Sequence, residues 1–358
     1  MIELKHLEEI SKYAGERFDL VQAGGGNSSV KLDNGEMLIK ASGFSLTDVH
    51  ENNGYSKVFT KEIADIVKNG SIITEKDKRT REALTSQLVN EATIDKANRP
   101  SIETLLHSFL HKYTLHTHPV VVNAIVNKKN WKEVLSSLFT DEPIVFVEYN
   151  TPGIDLALYL SNELSKFDQV PNIIFLQNHG LIITSVDKDE VIIKTEFVVD
   201  KVEKYLDLNF ERYKKTNKMS ALLNQASQKK LTNNISYLSE DLQINNALQK
   251  NIELFLRTPF CPDSLVYCGV KAVRLEDLND KKTIEEYSNE YFELPKIIIV
   301  DNSLYIVAQN IKKAKEIEDV LKFNIMVMMN GADDINYLPV SELGYLSNWE
   351  AEKFRQNL

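Results

Sequence analysis

The chain reads as an α/β protein in two parts, and three observations predict this. Its 358 residues, 43% hydrophobic and 26% charged, are enough for two domains with sizeable cores. Short β-branched runs, such as 172–176, recur between amphipathic helical stretches through the first part. A stretch over 215–233, rich in Lys, Asn, Gln and Ser, then leads to a second part with a hairpin followed by a helix. The expected domains are 1–214 and 234–358, with 215–233 a linker or an exposed helical connection.

Apolar residues at Leu4, Leu7, Ile10 and Tyr13 have helical spacing, which predicts an opening helix over 3–17. Gly24-Gly25-Gly26-Asn27-Ser28-Ser29 follows. Glycines permit backbone conformations that other residues reach only with strain, and Asn27, Ser28 and Ser29 offer polar groups at a turn. The stretch reads either as a plain hairpin or as a turn whose N–H groups surround an anion. A strand at 37–40, entered by an Asn34-Gly35 turn, runs into a second small polar turn at Ala41-Ser42-Gly43. Lys40 reads either as positive charge for an anion or, more commonly for a lysine ending an edge strand, as a solvated residue, and Lys76-Asp77-Lys78-Arg79 as a solvated face.

Ser101 is a good N-cap for a helix carrying Glu103, His107 and His111 at i, i+4, i+8. A stripe of this kind fits a partly solvated surface better than a second metal cluster. In Leu115-His116-Thr117-His118-Pro119 the two imidazoles lie at i, i+2, so on a strand they share one face. Tyr113-Thr114-Leu115 before them and Val120-Val121-Val122 after them suit a buried strand. Asn178-His179-Gly180 offers a third imidazole, and a three-histidine zinc site leaves one position open for water or substrate.

A helix near 130–138, a strand at 144–149, a turn at Asn150-Gly153, a helix over 154–166, strands at 172–176 and 181–184, and a long helix over 188–214 complete the first part. The second opens with a helix near 239–256 and a strand at 265–268. The hairpin over 296–308, a helix over 311–328 and a final helix from Glu342 that holds Trp349 follow.

The net charge of 42 − 52 = −10 argues against non-specific nucleic-acid binding. Cys261 and Cys268 are the chain's two cysteines and read as free thiols in a reducing compartment. The opening residues lack an apolar signal core and no run is long enough to span a bilayer, so a cytoplasmic location with no membrane partner is expected.

These motifs, in this order, resemble the class II aldolase/adducin family over roughly residues 1–210. The resemblance rests on Gly25-Gly26-Asn27-Ser28-Ser29, Lys40-Ala41-Ser42-Gly43, Pro100 through His107, His116-Thr117-His118-Pro119 and Asn178-His179-Gly180. By pattern it is nearest to the aldolase part of bifunctional rhamnulose-1-phosphate aldolase/alcohol dehydrogenase proteins, and it continues through 258–269, the 296–308 hairpin and Trp349-Glu350-Ala351-Glu352-Lys353. In those proteins the extra segment joins the aldolase to a dehydrogenase, and this chain stops where that domain would begin. The sequence has no Gly-x-Gly-x-x-Gly, so no NAD is expected.

The resemblance implies an α/β sandwich, with helices on both sides of a mostly antiparallel central sheet, plus a smaller C-terminal α+β domain. It implies His116, His118 and His179 as ligands of Zn2+ or another divalent metal, and Glu103 as the catalytic acid/base. Gly26, Asn27, Ser28, Ser42, Gly43 and Ser101 would bind the substrate's anionic end. The implied reaction cleaves a ketose, favouring a ketose 1-phosphate, to dihydroxyacetone phosphate and an aldehyde through a zinc-stabilised enediolate. Epimerisation, dehydration or decarboxylation at the same site is the alternative, as is a non-catalytic adducin-like binding module. Relatives commonly place two serines before the glutamate, whereas this chain has Ser101-Ile102-Glu103, which leaves the anion open between phosphate and other groups. The expected partners are a small sugar or sugar phosphate and further copies of the chain, favouring a tetramer; whether a separately encoded dehydrogenase is a further partner is left open by the sequence.

Overall fold

The structure is a computed structural model that describes residues 2–226, 234–339 and 341–342. Two compact units divide the chain between Phe210 and Glu211.

The first unit opens with α1 (Ile2–Gly15), whose Leu4, Leu7 and Ile10 are buried at the predicted spacing. β1 (Asn27–Lys31), β2 (Glu36–Lys40) and β3 (Tyr55–Phe59) form a meander. Gly35, with φ of 88°, makes the first turn of it. Four helices follow: α2 (Thr60–Ile66), α3 (Gly70–Thr74), α4 (Lys78–Glu91) and α5 (Thr104–Ser108). Next come β4 (Tyr113–Thr117), α6 (Val120–Val126), α7 (Trp131–Leu138) and β5 (Ile144–Val147). α8 (Ile154–Leu164), β6 (Ile173–Leu176), β7 (Gly180–Ser185) and α9 (Lys188–Leu206) close the unit.

The seven strands form one sheet in the order β3-β2-β1-β4-β7-β6-β5. Five of its pairings are antiparallel and one, β5 with β6, is parallel, so the sheet is mixed. The parallel pair arises because α8 carries the chain back across the sheet between β5 and β6. One face packs on α1, α6, α7 and α9 through residues such as Leu115, Phe175 and Val198. The other packs on α2, α5 and α8 through Ile39, Ile182 and Leu160. Each fully buried Leu, Ile or Phe of this kind contributes about 1.5–3 kcal/mol of burial.

The second unit begins with α10 (Glu211–Ala226) and β8 (Ile235–Leu238), then α11 (Leu242–Lys250), α12 (Pro262–Cys268) and β9 (Val273–Arg274). α13 (Lys281–Tyr291), β10 (Ile297–Val300), β11 (Ser303–Ala308) and α14 (Ile311–Met328) complete it. Its sheet runs β8-β11-β10-β9. The expected hairpin and the helix after it are therefore present. Asp301 and Asn302 turn the hairpin at φ of 47° and 57°, a conformation that Asp and Asn tolerate.

Several elements differ from expectation. The long helix over 188–214 stops at Leu206, because Asp207 adopts the left-handed conformation (φ 54°) and ends it. Residues 215–226 are helical, as one of the two expected readings has it, but they are neither a linker nor an exposed connection: they belong to α10, which buries Met219, Leu222 and Leu223 in the second unit. Residues 120–122 start a helix rather than extending the strand, since Pro119 ends the ladder and pre-sets the helical turn. Residues 265–268 belong to α12, started by Pro262 at its first turn, so Cys268 sits on a helix. The expected final helix holding Trp349 lies outside the described residues.

Candidate metal centre

β4 lies at the middle of the seven-stranded sheet, and all five of its residues are buried. Side chains alternate along it, so Leu115 enters the core beside α1 while His116, with no exposure, faces the opposite side. The strand stops at Thr117, and His118 follows just beyond its end. The His118 N–H donates to the Leu20 carbonyl at 2.8 Å instead of to a neighbouring strand. His179 sits in the turn between β6 and β7, where Asn178 takes a left-handed conformation (φ 55°). The β4–β7 pairing then brings that turn beside the end of β4.

The three imidazoles converge, with one nitrogen of each lying within 4.8 Å of the others. Their ring centroids are 4.7–5.1 Å apart. Nε2 of His116 and Nε2 of His118 are buried without a hydrogen-bond partner. Buried polar atoms are normally paired, so unpartnered nitrogens on neighbouring, converging rings mark a ligand position. A divalent metal fits this donor set: imidazole nitrogens are zinc ligands, and three of them leave a site open.

Glu103 stands beside the rings at the entry to α5, with Oε1 3.0 Å from His116 Nδ1 and 3.5 Å from His179 Nε2. Burial by itself raises this carboxyl, but His116, then His179 and His107, outweigh it and hold the group ionised, well below the usual carboxylate range. Burial, with His116 and His179 adding to it, lowers His118 to about 3. Burial and His116 lower His179 to about 4. Both rings are thus neutral at physiological pH, the form that binds metal.

α5 is shorter than the predicted helix and ends at Ser108, so Glu103, His107 and His111 do not form one helical stripe. His107 is not solvated. It is fully buried, bonded through Nδ1 to Ser29 Oγ at 2.7 Å. His111 bonds the Val170 carbonyl through Nε2 at 2.9 Å.

The candidate anion-binding residues divide into two groups. Asn27 pairs with His116 across β1 and β4, on the same face, and its Nδ2 is buried and unpartnered. Gly26 precedes it with φ of 71°, and a Cβ there would lie 2.9 Å from the His116 carbonyl oxygen. The Ala41–Pro100 bridge sets Ser42 and Gly43 alongside Ser101, and the Ser101 hydroxyl accepts from the Glu103 N–H at 3.3 Å. Ser28 does not join either group. Its hydroxyl is buried on the other face of β1, 2.6 Å from Ser11 Oγ, because alternate strand residues point opposite ways. Asn27, Ser28 and Ser29 are strand residues, not turn residues.

Lys40 is not the solvated strand end that its sequence position suggests. It is 3% exposed, and its ammonium donates to the Gly24 carbonyl at 3.3 Å. Burial lowers its pKa, while the charges of Glu103 and Asp48 oppose that shift. The glycine run also has a steric role that composition does not reveal. A Cβ on Gly25 would come within 2.8 Å of His118 Nδ1, and one on Gly180 would collide with the Thr117 carbonyl. Both glycines let backbone close tightly around the imidazoles.

With this geometry established, comparison with known proteins gives the class. Residues 5–206 match the class II aldolase and adducin N-terminal domain, and the chain belongs to that family. A curated relative, an uncharacterized oxidoreductase from Bacillus subtilis strain 168 (YuxG), is 26% identical over 193 residues. That match takes in 51% of this chain and only 27% of the relative. Among solved structures, the N-terminal class II aldolase domain of a conserved protein from Thermoplasma acidophilum is similar at 22% identity and a TM-score of 0.48. It covers 57% of this chain and 93% of its own. L-fuculose-1-phosphate aldolase from Thermus thermophilus is similar at 13% identity and a TM-score of 0.36, over 57% of this chain and 93% of its own. No helix among the described residues is long and apolar enough to cross a membrane.

Proposed function

We propose that the first unit is a metal-dependent aldolase that cleaves a ketose, favouring a ketose 1-phosphate, to dihydroxyacetone phosphate and an aldehyde. The observation that carries this reading is the convergence of His116, His118 and His179 with Glu103 3.0 Å from one of them. In family terms, that set combines a metal site with an acid/base.

His116, His118 and His179 would hold the ion. A divalent metal such as Zn2+, when bound, supplies a Lewis acid for the ketose carbonyl and hydroxyl oxygens. Glu103, held ionised, is in the form that takes a proton from the carbon beside the carbonyl in the condensation direction. By microscopic reversibility the same carboxyl returns that proton after cleavage. The unpartnered Asn27 amide is a ready donor to the substrate's anionic end; Ser42, Gly43 and Ser101, set side by side by the Ala41–Pro100 bridge, and the Lys40 ammonium at the end of β2 would add to it. Ile102, 59% exposed beside Glu103, adds an apolar surface where relatives commonly carry a hydroxyl. The second unit would be a C-terminal extension, and the family reading adds a homo-oligomer, a tetramer by preference.

The test is a panel of ketose phosphates, sugar acids and free ketoses offered to the zinc-loaded protein, with products followed by NMR. Triose products that vanish with Glu103→Gln and His118→Ala support the aldolase. Inversion, dehydration or decarboxylation without C–C cleavage sinks it and leaves the alternative chemistry at the same site. Metal-free protein that resists zinc reconstitution would return the chain to the adducin-like binding module.

A further inference from the structure

His118 is the one proposed ligand at the end of β4 that the sheet does not hold, and the structure shows what holds it instead. The irregular segment between α1 and β1 runs beneath it. Leu20 accepts the His118 N–H at 2.8 Å, and Asp19 accepts the Val120 N–H at 2.9 Å. The Gln22 amide approaches the His118 carbonyl at 3.5 Å. Pro119 has no N–H, so these bonds fix the backbone on both sides of the imidazole.

That segment has no helix or strand of its own. It is folded around the Arg17 side chain, which is fully buried. Arg17 Nε reaches Asp19 Oδ1 at 3.0 Å and a terminal nitrogen reaches Oδ2 at 2.5 Å, a two-pronged pair. Its other terminal nitrogen bonds Glu196 of α9, which also accepts from the Tyr13 hydroxyl of α1 at 2.7 Å. The Arg17 carbonyl accepts the N–H groups of Leu20 (3.0 Å) and Val21 (2.9 Å).

We infer that the Arg17–Asp19 pair is a positioning clamp for His118: it sets the backbone of residues 19–20, whose carbonyls aim this imidazole at the metal position. Arg17 touches neither metal nor substrate and acts through His118. The inference rests on the metal-site reading above. Losing an outer-shell partner of a ligand typically costs 10- to 100-fold in metal affinity, and a clamp on the ligand's backbone falls in that class.

A double-mutant cycle in the full chain tests it, read as Zn2+ affinity by competition with a chromophoric chelator. Arg17→Lys keeps the charge and loses the fork. The clamp predicts that Arg17→Lys weakens Zn2+ binding about 10-fold or more in the otherwise native chain, and less than about 3-fold beside His118→Ala. The Co2+-loaded Arg17→Lys protein should also show an altered visible d–d band, which reports ligand geometry. Equal losses in both backgrounds, or no loss with an unchanged Co2+ spectrum, overturn the clamp. If Arg17→Lys does not fold, Asp19→Asn carries the same cycle with the same outcomes. Failure of the native chain to bind Zn2+ overturns the metal centre itself, and the clamp with it.

Discussion

Each unit has a buried polar cluster, and the two are satisfied in different ways. In the second unit Ser264 Oγ donates to Asn324 Oδ1 at 2.7 Å, and Asn324 Nδ2 donates to Cys268 Sγ at 3.5 Å. Cys261 Sγ lies 3.0 Å from the same serine hydroxyl. Burial pushes the Cys268 thiol up to about 12, so it stays protonated and is a poor ligand. In the first unit His116 and His118 keep buried nitrogens that bond to nothing in the protein. An unpaired buried polar atom costs roughly 1–3 kcal/mol, a cost that an ion held between converging imidazoles would offset. A satisfied cluster is read as structure and an unsatisfied one as a site.

The largest effect separating the two clusters is expected from His116→Ala. It should lower Zn2+ affinity by more than about 100-fold, beyond the usual outer-shell range, as measured by chelator competition. An affinity within about threefold of native would remove His116 from the site. Glu103→Gln comes next. It should cut turnover about 100- to 10,000-fold, the span of general acid–base catalysis, while bound Zn2+ stays near one per chain by elemental analysis. Preserved turnover would take Glu103 out of the proton transfer.

Asn324→Ala tests the other side of the comparison. It should cost about 1–3 kcal/mol of stability, seen as a shifted urea midpoint, with Zn2+ stoichiometry unchanged. Loss of zinc in that variant would break the distinction between the clusters.

The smallest expected effect is that of pH on metal binding. His118 and His179 have folded pKa values of about 3 and about 4, below the unfolded value of about 6.5. They take up protons on unfolding, so the metal-free protein loses stability as pH falls from about 6.5 toward 4. Glu103, also held low, extends that loss further into acid. Above the folded values, His118 and His179 carry no proton for the metal to displace. Zn2+ binding at roughly pH 5.5 should therefore release no more than about one proton. Release of two or more, followed by isothermal titration in buffers of different ionisation enthalpy, would show that His118 or His179 is protonated in the folded chain.

Much of this is legible in the sequence where the signal is local. Helical spacing of Leu4, Leu7 and Ile10 marks α1, and the 296–308 run marks the hairpin. The i, i+2 histidines and Asn178-His179-Gly180 mark a candidate metal centre, and the fold does bring its three rings together. What sequence hides depends on partners far away in the chain. Ser28 and Asn27 are adjacent, yet the pleat sends one toward Ser11 and the other to the face of His116. Lys40 looks like a solvated strand end until the fold buries it with its ammonium on the Gly24 carbonyl. Val120-Val121-Val122 has strand-forming side chains, and the proline before it decides for helix. Gly25 reads as a turn residue and Gly180 as part of the Asn178-His179-Gly180 motif, and only the packed backbone shows that they make room for His118. An arginine two residues before an aspartate, just ahead of the glycine run, is the one available sequence signal for the Arg17–Asp19 pair.

X-ray absorption at the zinc edge of the reconstituted full chain tests the central claim most directly. The two clusters offer different donors, so the spectrum separates them without any assay of activity. One Zn2+ per chain with imidazole scattering and nitrogen neighbours at about 2.0–2.1 Å, with weaker imidazole scattering in His118→Ala, is the predicted result. A sulfur shell at about 2.3 Å, or no stoichiometric zinc, would contradict a metal centre built from His116, His118 and His179.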